Sequence, residues 1–475
     1  MLIHTSKNKL TNRINNYREI LNTIILVGVE IFFLTLSVWL SFQVRAVFLV
    51  DATIPKLSLA ILPIWILLAW LNGLYPGWGL GLVEDLRRVS RNVAATFLLI
   101  SGILYFTDTG PSWARVALLL SGFLAWILLP IARWIVRASL FHLGLWGIDV
   151  AVLGAGLTGK QVVSALKGAG GYGFNPVSVY DDDPKLHGSM ILGVPVVGLS
   201  NDLINTRFGA VFVATPGVSR VRLLELLGGP LAQFERVFIV PDFFGMESLW
   251  VEARDLNGML TLELQRNLLK PVAQVTKRLF DIFLVIVSSP LWIPLCLICA
   301  FIIYLEDRQS PIYIQARVGL QERPIRILKF RTMVPNADAR LKDYLDTHPD
   351  AKLEWETKFK LLRDPRITRV GVFLRRSSLD EIPQLINILS GDMSLVGPRP
   401  LPQYHLDAMT SNAQAVRAKV RPGLTGMWQV SGRSDTDVSG MVDLDDQYVR
   451  NWSIWLDIII LVRTIGVVLT GRGAY

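Results

Sequence analysis

The chain has 475 residues, of which 51% are hydrophobic and only 18% charged, below the roughly 25% usual in soluble proteins. That excludes an ordinary soluble enzyme and indicates a membrane protein with soluble parts. The formal charge of +9 suits anionic lipid head groups or phosphorylated substrates, and a nucleic-acid binder is excluded because it would not need the apolar segments below.

The basic start, "SKNKLTNRINNYR", precedes an apolar run too long for a cleavable signal core. Four apolar segments follow, Leu21–Phe42, Ile54–Trp70, Val93–Phe106 and Ala114–Val136. Each approaches the ~20 residues that cross a bilayer, and the third is short and is expected to borrow flanking residues. Lys7, Lys9, Arg13 and Arg18 precede the first, Arg87, Arg88 and Arg91 separate the second from the third, and Arg133 and Arg137 close the fourth. By the positive-inside rule both ends of this bundle, residues 1–146, face the cytoplasm. Glu30, an acid inside the first helix, is a functional candidate by position and is expected to face the bundle interior.

Strands alternating with helical patterns over 147–270 predict a Rossmann-like domain with a parallel sheet. Its first turn carries Gly154, Gly156 and Gly159 in the G-x-G-x-x-G spacing, with Asp181 behind the second strand. This pattern makes a dinucleotide site or merely a tight strand–helix turn. No tyrosine has a lysine four residues on, which argues against a short-chain reductase.

The last part, 271–475, opens with a long apolar stretch over about 277–305, interrupted by Pro290 and Pro294. Proline breaks helical hydrogen bonding, and Ser288 and Ser289 are placed to satisfy freed carbonyls. A kinked spanning helix and a re-entrant helix both fit. Cys296 and Cys299 lie in this stretch. They read as free thiols; a structural zinc site would need about four ligands.

Basic residues then recur at turns: Arg326, Lys329 and Arg331; Arg363, Arg366, Arg369, Arg375 and Arg376; Arg399; Arg421 and Arg433. Guanidinium forks beside Gly and Pro suit phosphate oxygens. Among them sits "RRSSLDEIPQL". Pro383 argues against a Ser378 capping box and favours Asp380 as the N-cap, ahead of a helix whose apolar stripe is Ile382, Leu385, Ile386 and Leu389. Capping accounts for one acid, not for two beside arginines. A carboxylate can also attack phosphorus to give an acyl-phosphate, with Glu381 helping to hold Mg2+ beside substrate phosphates.

"KFRTM", "LRRSSLDEIPQL", "GDMSLVGPRP" and "RPGLTGMWQVSGR", in this order behind a proline-broken apolar helix, resemble the polyprenyl-phosphate phosphoglycosyl transferases of the bacterial sugar transferase family. The long form of that family also carries four membrane helices and a Rossmann-like domain. The resemblance implies Asp380 as nucleophile and Glu381 as its Mg2+-associated partner. It implies phosphate contacts for Lys329, Arg331, Arg375 and Arg399, a nucleotide-sugar contact for Arg433, and a re-entrant break at Ser289–Pro290. The implied activity is transfer of a hexose-1-phosphate, galactose-1-phosphate foremost, from a UDP-sugar to undecaprenyl phosphate, starting O-antigen, capsule or exopolysaccharide synthesis. The implied setting is a homodimer in the bacterial inner membrane, with catalysis in the cytoplasm. An oxidoreductase using the glycine turn and a nucleotide-sensing scaffold are the competing readings.

Overall fold

The computed structural model describes residues 2–48, 60–106, 112–168, 172–206, 208–241, 251–256, 259–264, 267–350, 352, 355, 361, 364–407, 409–431 and 438–470. They divide into two compact units, Met1–Phe244 and Gly245–Tyr475.

The first unit begins with α1 (Leu2–Phe48), α2 (Ile61–Leu71), α3 (Leu82–Phe106) and α4 (Ser112–His142). Tyr17–Val44, Leu82–Phe106 and Val116–His142 are long and apolar enough to cross a membrane. The third segment therefore does borrow flanking residues, on its N-terminal side. Its first turns hold Glu84, Arg87, Arg88 and Arg91 on the helix itself, and these charges hide its start from a hydropathy reading. The second segment is described only from residue 60 onwards. Leu34, Trp65, Val89, Phe97 and Leu129 form the bundle core, whereas Phe32, Trp70, Leu98 and Leu119 point outward, as lipid-facing side chains do.

Glu30 does face the interior. It takes hydrogen bonds from Trp65 Nε1 (2.8 Å), from Tyr75 and from Arg133. Arg133 also bonds Asp85 Oδ1 at 2.9 Å, and Arg137 bonds the same oxygen at 2.7 Å. Arg133 and Arg137 are thus buried partners of acids rather than head-group anchors. They drop out of the charge count that oriented the bundle. The bundle shares a core with the domain behind it: Leu26, Trp78 and Leu140 pack with Trp146, Ile148 and Val150. Asn22 accepts from Gly147 N (3.0 Å) and Trp78 Nε1 (3.2 Å).

That domain has a six-stranded sheet, order β3-β4-β2-β1-β5-β6. The strands are β1 (Ile148–Leu153), β2 (Phe174–Tyr180), β3 (Met190–Ile191), β4 (Val194–Gly198), β5 (Ala210–Val213) and β6 (Val237–Ile239). All neighbours run parallel except the edge pair β3/β4. Helices α5 (Leu157–Lys167) and α6 (Arg220–Gly228) are the crossovers.

The second unit opens with a hairpin, β7 (Val251–Leu256) and β8 (Met259–Leu264). Then α7 (Pro271–Val287) and α8 (Ser289–Asp307) meet at Ser288. The hydroxyl of Ser288 donates to Leu284 O at 2.7 Å, and Trp292 Nε1 donates to Val285 O at 3.0 Å, so side chains add bonds to carbonyls of the last turn of α7, though not to those whose partners the prolines remove.

Both arms of this pair return to the same α/β body. On α7, Lys277 is buried with Asp457 (2.7 Å) and Asp281 (3.6 Å), and Asp281 accepts from Ser394 Oγ at 2.6 Å. On α8, Cys299 and Ile303 pack with Phe330 and Leu374, and Asp307 at its end is gripped by Arg331. The bend between them exposes Ile286, Val287, Leu291, Leu297 and Ile298. A helix of 19 residues reaches about 28 Å, yet this one ends on the body from which α7 departs.

The body holds an antiparallel ribbon, β9 (Ile312–Val318) with β10 (Pro324–Phe330), and a parallel pair, β11 (Ser394–Val396) with β12 (Gly423–Thr425). Around them lie α9 (Ala337–Thr347), α10 (Arg369–Arg376), α11 (Gln384–Ser390), α12 (Val438–Asn451) and α13 (Ile454–Thr470).

Candidate active site

Between α10 and α11 the chain makes a tight passage. Ser378 has φ 55°, in the left-handed region, which is costly for a residue with a Cβ. Leu379–Glu381 then form one 3-10 turn, and Ile382 and Pro383 continue into α11 with helical angles. A side-chain N-cap works from an extended backbone, and no residue here has one at the entry to α11. Asp380 therefore does not cap the helix, contrary to the sequence reading, and its carboxylate is left for other work.

The expected apolar stripe also fails. The buried residues of α11 are Gln384, Asn387 and Ile388, while Ile386 and Leu389 are largely exposed. Asn387 explains the shift: its Oδ1 accepts from Leu328 N at 2.9 Å and its Nδ2 donates to Arg326 O at 2.8 Å. The helix is thereby tied to β10 by an amide, a bond that apolar periodicity cannot reveal.

Glu381 sits on Lys329 Nζ at 2.8 Å and near Arg399 Nη2 at 3.5 Å. Arg375 donates from Nε to Thr332 Oγ1 at 2.9 Å and, with Lys329, lies close enough to favour the ionised form of Asp380. Burial and the neighbouring Glu381 outweigh those cations and push the Asp380 carboxyl up to about 6. The structure thus brings together Asp380, Glu381, Lys329, Arg375 and Arg399.

It separates the others. Arg331 forms a two-pronged ion pair with Asp307, both bonds 2.6 Å, and donates to Ser310 O at 2.8 Å. Its fork is engaged by the acid at the end of α8. Arg366 pairs with Asp364 at 2.6 Å, and Arg421 bonds Gly391 O at 2.9 Å. Arg433 lies outside the described residues. Ser289 and Pro290 begin α8 at the bend, with Ser288 making the hydrogen bonds there.

Two glycines explain the later motifs. A Cβ on Gly423 would stand 2.1 Å from Gly397 N, so "GPRP" and "RPGLTG" meet backbone to backbone. This contact holds Arg399 over a cleft lined by Gln315, Arg317, Lys329, Glu381, Gln384 and Gln429. Asp380 stands one residue behind that lining. Arg317 was missed by sequence reasoning. The signal for it is strand alternation, since Gln315 and Arg317 share one face of β9 with the cleft.

In the first unit, Gly154 has φ 109°, and a Cβ on Gly159 would fall 1.9 Å from Gly154 O. Strand and helix therefore meet closely, as a dinucleotide turn requires. Asp181, however, is directed inward: its Oδ2 accepts from Ala155 N at 2.6 Å and its Oδ1 from Asp183 N at 2.8 Å. It closes the glycine loop rather than presenting itself to a ribose.

Residues 272–471 match the family model described as bacterial sugar transferase, and residues 71–222 match one described as CoA-binding domain. The UDP-galactose-lipid carrier transferase of Erwinia amylovora is 34% identical over 81% of this chain and 82% of its own. This chain belongs to the bacterial sugar transferase family. The undecaprenyl-phosphate galactose phosphotransferase of Salmonella typhimurium is 33% identical over 82% of each chain. The UDP-glucose:undecaprenyl-phosphate glucose-1-phosphate transferase of Escherichia coli K12 is 27% identical over 88% of this chain and 89% of its own. The membership makes the chain a membrane-bound transferase, and the expected fold class of membrane bundle, Rossmann-like sheet and α/β transferase body holds.

Proposed function

We propose that this transferase moves a hexose-1-phosphate, galactose-1-phosphate in particular, from a UDP-sugar to undecaprenyl phosphate through a covalent Asp380 intermediate. The observation that carries the proposal is the Asp380–Glu381 turn. An acid freed from capping stands among Lys329, Arg375 and Arg399, beside a helix pair whose bend is apolar. The galactose preference follows the names of the relatives at 33–34% identity.

The chemistry is a double displacement. A carboxylate oxygen of Asp380 attacks the β-phosphorus of the UDP-sugar, the bond from that phosphorus to the bridging oxygen breaks, and UMP leaves with the electron pair. An oxygen of the lipid phosphate then attacks the acyl-phosphate, and the carboxylate of Asp380 is regenerated. Lys329 orients Glu381 and lowers the charge density around the carboxylates. Arg375 and Arg399 supply fixed positive charge where phosphate oxygens gather.

Two adjacent, half-buried carboxylates that repel each other are a donor set that fits Mg2+ together with substrate phosphates. Among the described residues no group of three or more metal-binding side chains exists, so the substrate would complete the shell. Asp380 and Glu381 would hold the ion, which when bound neutralises phosphate charge. Chelation with EDTA is expected to stop UMP release, and added Mg2+ to restore it.

The apolar bend between α7 and α8 supports a re-entrant pair that dips into one leaflet and returns, which keeps the active site at the head-group plane. A re-entrant pair, together with the positive-inside pattern of the N-terminal segments, supports a transferase body that faces the cytoplasm of the inner membrane. The function is tested by UMP release from UDP-galactose and UDP-glucose, with and without undecaprenyl phosphate. Turnover that needs the lipid and prefers UDP-galactose is expected; NAD-linked turnover without lipid contradicts the proposal.

The acid limb of the rate follows from the same carboxylate. The nucleophile must be ionised, and its group is raised to about 6. Bound Mg2+ favours the ionised form and draws this value down, so UMP release is full at neutral pH and is lost on acidification at a pH no higher than about 6. Lys329→Met removes a charge that lowers this value, so the acid limb moves to higher pH in a pH–rate profile.

A further inference from the structure

Arg317 is a cation without an acid. It lies half-buried on β9, and its one recorded hydrogen bond, 2.9 Å from Nη1 to Ala316 O, is to its own neighbour. Among the described residues no carboxylate pairs with it. Burial lowers its affinity for its proton, and the nearby Arg399 adds to that effect. A half-buried guanidinium that shares a cleft with a second one is unfavourable unless an anion joins them.

The register of the ribbon places this pair. Lys329 faces Tyr313, Ile327 faces Gln315, and Ile325 faces Arg317. Arg317 is thus four residues along β9 from the rung of Lys329, roughly 13 Å at the strand rise. The direction is away from Ile312 and the end of α8. Arg317 lines the same cleft as Lys329, Glu381 and Arg399, and Arg399 Nη2 lies 3.5 Å from Glu381. A second cleft shares Arg399 and is lined by Val318, at the end of β9, and by Gly319 just after it. Its walls include Pro398, Leu401 and Val420, and they are more apolar than those of the first cleft.

We infer that Arg317, with Arg399, holds the phosphate that leaves with the nucleoside, on the side of the site remote from the membrane. Resting on the proposed double displacement, this assignment gives each substrate its own entrance. The sugar phosphate reaches Asp380 past Lys329, the nucleoside lies along the apolar cleft beyond Gly319, and the lipid phosphate approaches from the α7–α8 end. Arg317 then contributes to the first displacement and not to the second.

In a double-displacement enzyme the kcat/KM of each substrate reports its own half-reaction. Arg317→Met is expected to lower kcat/KM for UDP-galactose and weaken inhibition by UMP by about tenfold to a hundredfold, the scale of a lost charge-assisted bond. It leaves kcat/KM for undecaprenyl phosphate unchanged. Arg317→Gln, which keeps a polar side chain of similar reach, guards against a folding defect and must show the same one-sided loss. An unchanged kcat/KM for UDP-galactose overturns the inference, and so does a loss confined to the lipid substrate or an equal loss for both substrates in the two variants. A wild-type enzyme that releases no UMP would instead refute the underlying reaction.

Discussion

Asp380→Asn is expected to abolish UMP release, with a fall of roughly 10³- to 10⁶-fold, the range seen when an enzyme loses its nucleophile. The amide is nearly isosteric, so binding and fold should survive. Asp380 has no capping bond to lose, since α11 begins from Pro383 without a side-chain cap. The substitution also removes an acid pushed up to about 6, which eases rather than increases local strain. Loss of activity with unchanged thermal stability is therefore expected. Burst kinetics with stoichiometric enzyme separate the two displacements: the wild type releases one equivalent of UMP before lipid is added, and the variant none. An Asp380→Asn enzyme with near-normal UMP release would move the nucleophile elsewhere.

The second large effect lies in the membrane bundle. Arg133 is fully buried and serves two acids, Glu30 and Asp85. Arg133→Ala leaves both carboxylates short of a partner in an apolar setting. Breaking a buried ion pair in this way costs about 3–5 kcal/mol. A large fall in the melting midpoint of the detergent-purified protein, or its loss as a monodisperse species, is expected. Glu30→Gln should be milder, because an amide oxygen can still accept from Trp65 Nε1. Replacing Glu30, Asp85 and Arg133 together by apolar residues of similar volume should recover much of the loss. If Arg133→Ala melts like the wild type, the network does not hold the bundle together.

The two halves of the chain were legible to different degrees. Apolar length disclosed the membrane helices and the α7–α8 pair, and it marked only the apolar part of α3, whose opening turns carry Glu84 and three arginines. The strand–glycine–helix order disclosed the parallel sheet. Motif residues led to the Asp380–Glu381 turn, yet the expected apolar stripe of α11 was wrong because Asn387 faces β10 to make hydrogen bonds. Arginine density flagged the basic site without sorting it. Arg331, Arg133 and Arg137 spend their charge on Asp307, Glu30 and Asp85, acids 24 to more than 100 residues away in sequence. Only folding brings such pairs together. Arg317 shows the converse: its importance lies in having no acid beside it, which the sequence cannot display.

The covalent intermediate is the claim on which the account turns. Purified protein incubated with UDP-galactose and Mg2+ in the absence of lipid, quenched in acid and digested, should yield a peptide spanning Asp380 heavier by one hexose phosphate. The adduct should disappear when undecaprenyl phosphate is added before the quench, and should not form on Asp380→Asn. An enzyme that turns over with lipid yet never carries the adduct, or carries it on another residue, would contradict the account.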